Sequence, residues 1–98
     1  MSLKIEKKNT ETLALVGRLD TVTAPELEAE ISAILPTVES LVLDMEKLEY
    51  ISSAGLRVLL ATNKQMNAAG GTLTVSHVCD DVMEVFDMTG FTHLLNIK

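Results

Sequence analysis

Two adjacent serines, Ser52 and Ser53, stand where a loop turns into an apolar-periodic run, Tyr50-Ile51-Ser52-Ser53-Ala54-Gly55-Leu56-Arg57-Val58-Leu59-Leu60. A serine at the start of a helix has two uses. Its hydroxyl can cap the helix, a contact worth about 1 kcal/mol. The same place suits a phosphate, because the first helical N–H groups point outward and the helix dipole favours negative charge. On the first reading Ser53 caps, Ser52 completes the turn, and Gly55 lets the first helical turn lie close to another backbone. On the second reading a phosphate on Ser53 adds close to two negative charges, which the helix tolerates. A partner docked flat on the same surface would not tolerate them. Burying an uncompensated phosphate costs several kcal/mol, enough to dissociate a micromolar-to-nanomolar complex. The residues by themselves leave both uses open.

Other chemistry finds little support. His77 and His93 each stand alone, and no His-x-x-x-His or Cys-x-x-Cys pair offers metal spacing, so no metal site is expected. A triad of Ser53, His77 and some Asp can be written down, but almost any chain contains those residue types. Gly70-Gly71 is followed by no Lys-Ser/Thr and opens no helix, so it reads as a turn rather than a phosphate loop. Asp20, Asp44, Asp80 and Asp81 read as loop acids, suited to caps and solvated charge. No catalytic residue and no cofactor are expected. Asp20 and Thr21 fall in a loop expected near Ser53 across the end of a sheet, with Asp20 equally readable as a partner contact or a turn residue. Arg57 falls one turn into the helix, as an exposed residue or as a contact to a partner acid or to the phosphate.

The elements that must position these residues follow from the hydrophobic pattern. Leu3 and Ile5 alternate with charged residues, and Thr12 to Gly17 reads as a more buried strand, with a polar turn between them. Thr23-Ala24-Pro25-Glu26 predicts a helix start with Thr23 as cap and Glu26 closing a capping box. Leu27, Ile31, Ile34 and Leu35 form its stripe, and Pro36 should stop it. Leu41-Val42-Leu43 fits a strand buried on both faces, and Asp44 to Leu48 reads as a polar passage to the serine loop. Leu56, Leu59, Leu60 and Met66 mark a second helix, with Asn63 as the polar residue on that face and Gly70-Gly71 as its end. Thr72 to Val75 alternates as a strand. Asp80 or Asp81 caps a third helix with Val82, Val85 and Phe86, ended by Gly90. Leu94 to Ile97 fits either an edge strand or a short helix. Met45, Met66, Met83 and Met88 read as core filler. Strand–helix–strand units of this length imply right-handed crossovers and a largely parallel sheet. The expected fold is therefore α/β, one domain over residues 1–98, with a four- or five-stranded mixed sheet and helices mainly on one face.

Composition agrees with a folded domain: 98 residues, 47% hydrophobic and 22% charged. A net charge of −6 argues against nucleic acid as a partner and against docking on anionic lipid. Cys79 is the single cysteine and reads as a structural, partly buried thiol. Neither a signal peptide nor a membrane span is visible, so a cytoplasmic protein is expected. The pattern fixes no oligomeric state.

Taken together, these landmarks resemble the STAS-domain proteins that act as anti-sigma factor antagonists. Gly17-Arg18-Leu19-Asp20 is similar to that family's Gly-x-Leu-Asp. Leu41-Val42-Leu43-Asp44 with Leu48 resembles its central strand, and Ser52-Ser53-Ala54-Gly55-Leu56 its Asp-Ser-Ser/Thr-Gly-Leu motif. Gly70-Gly71 and Phe86-Asp87-Met88-Thr89-Gly90-Phe91 resemble its later landmarks. The resemblance spans essentially the whole chain. It implies that Ser53 is phosphorylated by an anti-sigma factor that is also a serine kinase, with Ser52 as a rival acceptor. The unphosphorylated form would bind that kinase and free the sigma factor, and a serine phosphatase would reset it. Partner-binding residues would be Asp20, Thr21, Ser52, Ser53, Ala54, Gly55 and Arg57. Two departures stand out: the acid before the acceptor is Ser52 here, and the second hydroxyl residue is Ala54. The chain also stops soon after Ile97, so a further C-terminal helix seen in some relatives is expected to be short or absent. The alternative within the same family is a STAS scaffold without phosphorylation, or a subunit of a signalling or lipid-transport assembly.

Overall fold

The computed structural model describes residues 3–35 and 38–98, so the helix stop expected at Pro36 lies outside the described residues. The described residues form five strands and three α-helices in one sheet-and-helix unit. The chain opens with a hairpin of β1 (Leu3–Asn9) and β2 (Thr12–Leu19), paired antiparallel. The Asn9 side chain closes its turn by accepting from the Glu11 N–H at 2.9 Å. The chain continues through α1 (Ala24–Ile34), β3 (Ser40–Ile51), α2 (Ser53–Ala68), β4 (Thr72–Ser76), α3 (Asp80–Thr89), a 3₁₀ turn (Phe91–His93) and β5 (Asn96–Ile97). The strand order is β1-β2-β3-β4-β5, with every pair after the hairpin parallel.

That order puts all three helices on one face. Each crossover from β2 onward moves the chain one place in the same direction, and a right-handed crossover then puts its helix on the same side every time. The register agrees. Leu3, Ile5, Leu13, Leu15, Leu43 and Val75 fall on one side of the pleat and join one hydrophobic cluster with Leu27, Ile31, Leu59, Val82 and Phe86 from the helices. Lys4, Glu6, Thr12, Asp44 and Thr74 fall on the other side, which no helix among the described residues covers. The last residues resolve as a short edge strand, led in by the 3₁₀ turn whose Phe91 ring stacks on Phe86 with centroids 6.3 Å apart.

Several local expectations are corrected. Asp44 to Leu48 is strand, not a polar passage: β3 runs unbroken for 12 residues. Its register against β2 slips twice, between Ala14 and Val16 and between Gly17 and Arg18. Bulges of this kind turn side chains out of strict alternation, which is why the sequence pattern loses its period there. Asp44 pins the first slip by accepting from the Glu46 N–H at 3.1 Å.

On α2, Val58 and Thr62 are buried while Leu60 is half-buried. The Thr62 hydroxyl satisfies itself by donating to the Val58 carbonyl at 2.7 Å. Asn63 is half-buried and donates to the Leu94 carbonyl at 3.3 Å. On α3, Cys79 holds the N-cap position and Asp80 and Asp81 lie in the first turn, where their charge suits the helix dipole. Gly90 ends that helix in the left-handed region, φ +81°. Met45 and Met66 are buried and Met83 is half-buried, but Met88 is 80% exposed. It lies two residues beyond Phe86, off the stripe that Val82 and Phe86 present to the sheet.

Candidate functional site

The serine loop is built at the C-terminal ends of β2 and β3. Leu19 and Ile51 are register partners at the last rung, and the ladder continues one step further as the Ser52 N–H donates to the Leu19 carbonyl at 2.9 Å. That bond brings the loop after β2, with Asp20, Thr21 and Val22, to the same end of the sheet as the start of α2. Gly55 completes the join. A Cβ placed on it would meet Leu19 Cγ at 2.7 Å and Ile51 Cγ1 at 2.9 Å. The helix can start this close to both strands only because position 55 has no side chain.

The two serines divide the work differently from the capping expectation. Ser52, not Ser53, is the N-cap. Its backbone is extended, φ −102° and ψ 176°, and its Oγ accepts from the Gly55 N–H at 3.4 Å. Ser53 is the first residue of the helix and is exposed, while Ser52 and Ala54 are half-buried. The first turn of α2 carries no acidic residue and its last turn no basic one, so nothing within the helix offsets its dipole at the serine end.

The Asp20 loop is held by a compact set of hydrogen bonds. Asp20 Oδ1 accepts from the backbone N–H groups of Val22 at 3.0 Å and Thr23 at 3.1 Å. Thr23 is buried and spends its hydroxyl inside the loop, accepting from the Asp20 N–H and donating to the Arg18 carbonyl, both at 2.9 Å. It therefore does not cap α1 with its side chain, contrary to the capping-box expectation, and Glu26 is exposed in the first turn. The Thr23 N–H holds the Asp20 carboxyl below its ordinary value, with Val22 and Arg18 adding to the effect. Thr21 and Val22 project to solvent, Val22 with 77% of its surface exposed.

Arg18 and Tyr50, paired across β2 and β3, flank this end. The Arg18 guanidinium lies 4.1 Å from the centroid of the Tyr50 ring, and its Nε is 3.9 Å from Asp20 Oδ2. Arg57 is exposed on α2 and borders a shallow groove with Glu28, Ala54, Val58, Ala61 and Lys64. The structure thus brings Asp20, Thr21, Ser52, Ser53, Ala54 and Gly55 together at one end of the sheet, with Arg57 one helical turn away. Val22 and Tyr50 join the surface without having been singled out in the sequence. Their signal, an apolar or aromatic side chain in a polar loop or at a strand end, is too common to read alone.

A second grouping lies on the uncovered face. His77, at φ +56°, follows the register partner of Asp44. Its Nδ1 lies 3.1 Å from Asp44 Oδ1, and Lys8 Nζ lies 3.5 Å from Asp44 Oδ2. Asp44, Glu46 and His77 offer three metal-ligand atoms within 4.8 Å of one another. Sequence spacing missed the set because Asp44 and Glu46 lie on β3 while His77 follows β4, and only the register of the two strands brings them together. Burial pushes the Asp44 carboxyl up, but the Glu46 N–H, His77 and Lys8 outweigh it and hold the group below its ordinary value. Cys79 is half-buried, with Sγ 3.4 Å from the Leu48 carbonyl. Among the described residues no helix is long and apolar enough to cross a membrane.

Comparison with known proteins places this geometry. The family model described as "Mlab, STAS domain" matches residues 4–96. BtrV of Bordetella bronchiseptica, a proposed anti-sigma factor antagonist, is 37% identical over 99% of this chain and 85% of its own length. The crystal structure of an anti-sigma factor antagonist from Mycobacterium paratuberculosis aligns with a TM-score of 0.81 at 26% identity, over 97% of this chain and 82% of that one. The Bacillus cell-fate determinant SpoIIAA in its phosphorylated form shares the fold, with a TM-score of 0.71 at 20% identity over 98% of this chain and 90% of that one. The chain belongs to the STAS domain family.

Proposed function

We propose that this protein is an anti-sigma factor antagonist whose hold on its partner is switched by phosphorylation of Ser53. The observation that carries the reading is the contrast between the two serines. Ser53 is exposed at the head of α2, while the Ser52 oxygen is engaged as the cap. The relatives' names supply the partner class, an anti-sigma factor. In this reading the partner is also a serine kinase, the exchange takes place in the cytoplasm, and the chain is substrate and ligand rather than catalyst.

The unmodified surface formed by Thr21, Val22, Tyr50, Ser53 and Ala54 docks on the partner, which then releases its sigma factor. The kinase transfers the γ-phosphoryl group of ATP to Ser53 Oγ. The bond from phosphorus to ADP breaks, a new one to Oγ forms, and the hydroxyl proton leaves to a base on the kinase. The helix accepts the new charge at its positive end. The partner interface cannot, because a phosphate buried without counter-charges costs several kcal/mol. A serine phosphatase resets the switch by hydrolysing the phosphoserine.

The test is to incubate the protein with its host's anti-sigma kinase and ATP and locate the phosphate by peptide mass spectrometry. Phosphate on Ser53 is expected. Phosphate confined to Ser52 would overturn the assignment of the acceptor. No phosphate from a kinase active on another substrate would favour a STAS scaffold instead.

A further inference from the structure

We infer that Arg57 is the internal clamp for a phosphate on Ser53, closing over it from the next turn of the same helix. This rests on the phosphorylation reading above. Ser53 and Arg57 are four residues apart on α2, and both are exposed. Residues at that spacing face the same way, with Cβ atoms about 5–6 Å apart, well within reach of an arginine side chain. The Arg57 side chain makes no hydrogen bond or ion pair with any of the described residues, which leaves its guanidinium uncontested among them. Arg18, the other arginine at this end of the sheet, is already engaged by Tyr50 and Asp20. The phosphate dianion offers the acceptor oxygens that a guanidinium binds with two parallel N–H donors.

The pairing gives one modification two effects. Arg57 reaches back toward the head of α2 and holds the phosphate there, where the helix dipole favours it as well. Arg57 is at the same time withdrawn from the groove beside Ala54, Val58 and Ala61, where in the unmodified protein it is free to meet an acidic group of the partner. The off state therefore removes a favourable contact as well as adding charge. It needs no rearrangement of the sheet.

The test places phosphoserine at position 53 during translation, so that no kinase is involved, and follows the phosphate by ³¹P NMR as a function of pH. A free phosphoserine loses its second proton near pH 6. The clamp predicts a lower value in the wild-type sequence and an upward shift of about 0.15–0.35 pH unit in Arg57→Gln, the size an exposed pair at this spacing gives. Arg57→Lys, which keeps the charge but not the fork, should fall between the two. Arg57 is exposed and unpaired, so the unphosphorylated Arg57→Gln protein should melt with the wild type. Superimposable titrations for wild type and Arg57→Gln would overturn the clamp while leaving phosphorylation of Ser53 intact. A kinase that ignores Ser53 would overturn the switch while leaving this titration unchanged.

Discussion

Gly55 lies against Leu19 so closely that a β-carbon on it would come within 2.7 Å of Leu19 Cγ. Real β-carbons do not approach a neighbour that near, and Leu19, the last residue of β2, is itself fully buried. The glycine therefore sets how near α2 can start to the sheet, and so where Ser53 emerges.

Replacing Gly55 with alanine sets two effects against each other. Alanine gains about 1 kcal/mol in helix propensity. The added methyl overpacks a rigid site, at a cost of about 1–3 kcal/mol. Gly55→Ala should therefore be neutral at best and destabilised by as much as about 2 kcal/mol, measured as a shift of the urea midpoint. A clear gain in stability would contradict the packing described at Leu19.

Ser52 should matter to stability where Ser53 does not. Ser52→Ala removes the cap to the Gly55 N–H. That bond is long at 3.4 Å, so the loss should sit toward the lower end of the usual range, about 0.5–1 kcal/mol. Ser53→Ala should leave the melting temperature nearly unchanged. Thermal melts of the two variants side by side check this, and a larger loss at Ser53 would reverse the assignment of the cap.

Asp44 predicts the acid limb of the stability curve. Its carboxyl is held below the ordinary 3.8 in the folded protein. A depressed carboxylate contributes stability that is fully present above the unfolded value and is lost as pH falls through the folded one. Wild type should therefore lose stability below about pH 3.8 more steeply than Asp44→Asn. Asparagine keeps an oxygen for the Glu46 N–H but loses the attraction to Lys8 and to protonated His77. Denaturation midpoints across pH 2–6 compare the two, and parallel acid limbs would show that Asp44 contributes nothing there through its charge.

The strand and helix order was legible because each element carries a clean period or a clear stop, such as Gly90 after α3 or Leu27 and Ile31 on α1. The serine loop was legible as a place. What could not be read was which serine caps, because both are good N-cap residues and the choice is made by the Leu19–Ser52 backbone bond, a contact between residues 33 apart in sequence. The Thr23-x-x-Glu26 signature misled for a related reason. The Asp20 loop draws the Thr23 hydroxyl inward before it can serve the helix. Asp44 to Leu48 hid as a strand because bulges break the alternation that marks one. Arg18 over Tyr50 and His77 beside Asp44 depend on register alone, which sequence period does not encode.

The most direct measurement is a calorimetric titration of the anti-sigma kinase with two forms of this protein, unmodified and carrying phosphoserine at position 53. The unmodified form should bind saturably and the phosphorylated form at least a hundredfold more weakly, the equivalent of about 2.7 kcal/mol or more. Equal affinity for the two forms would contradict the switch at Ser53.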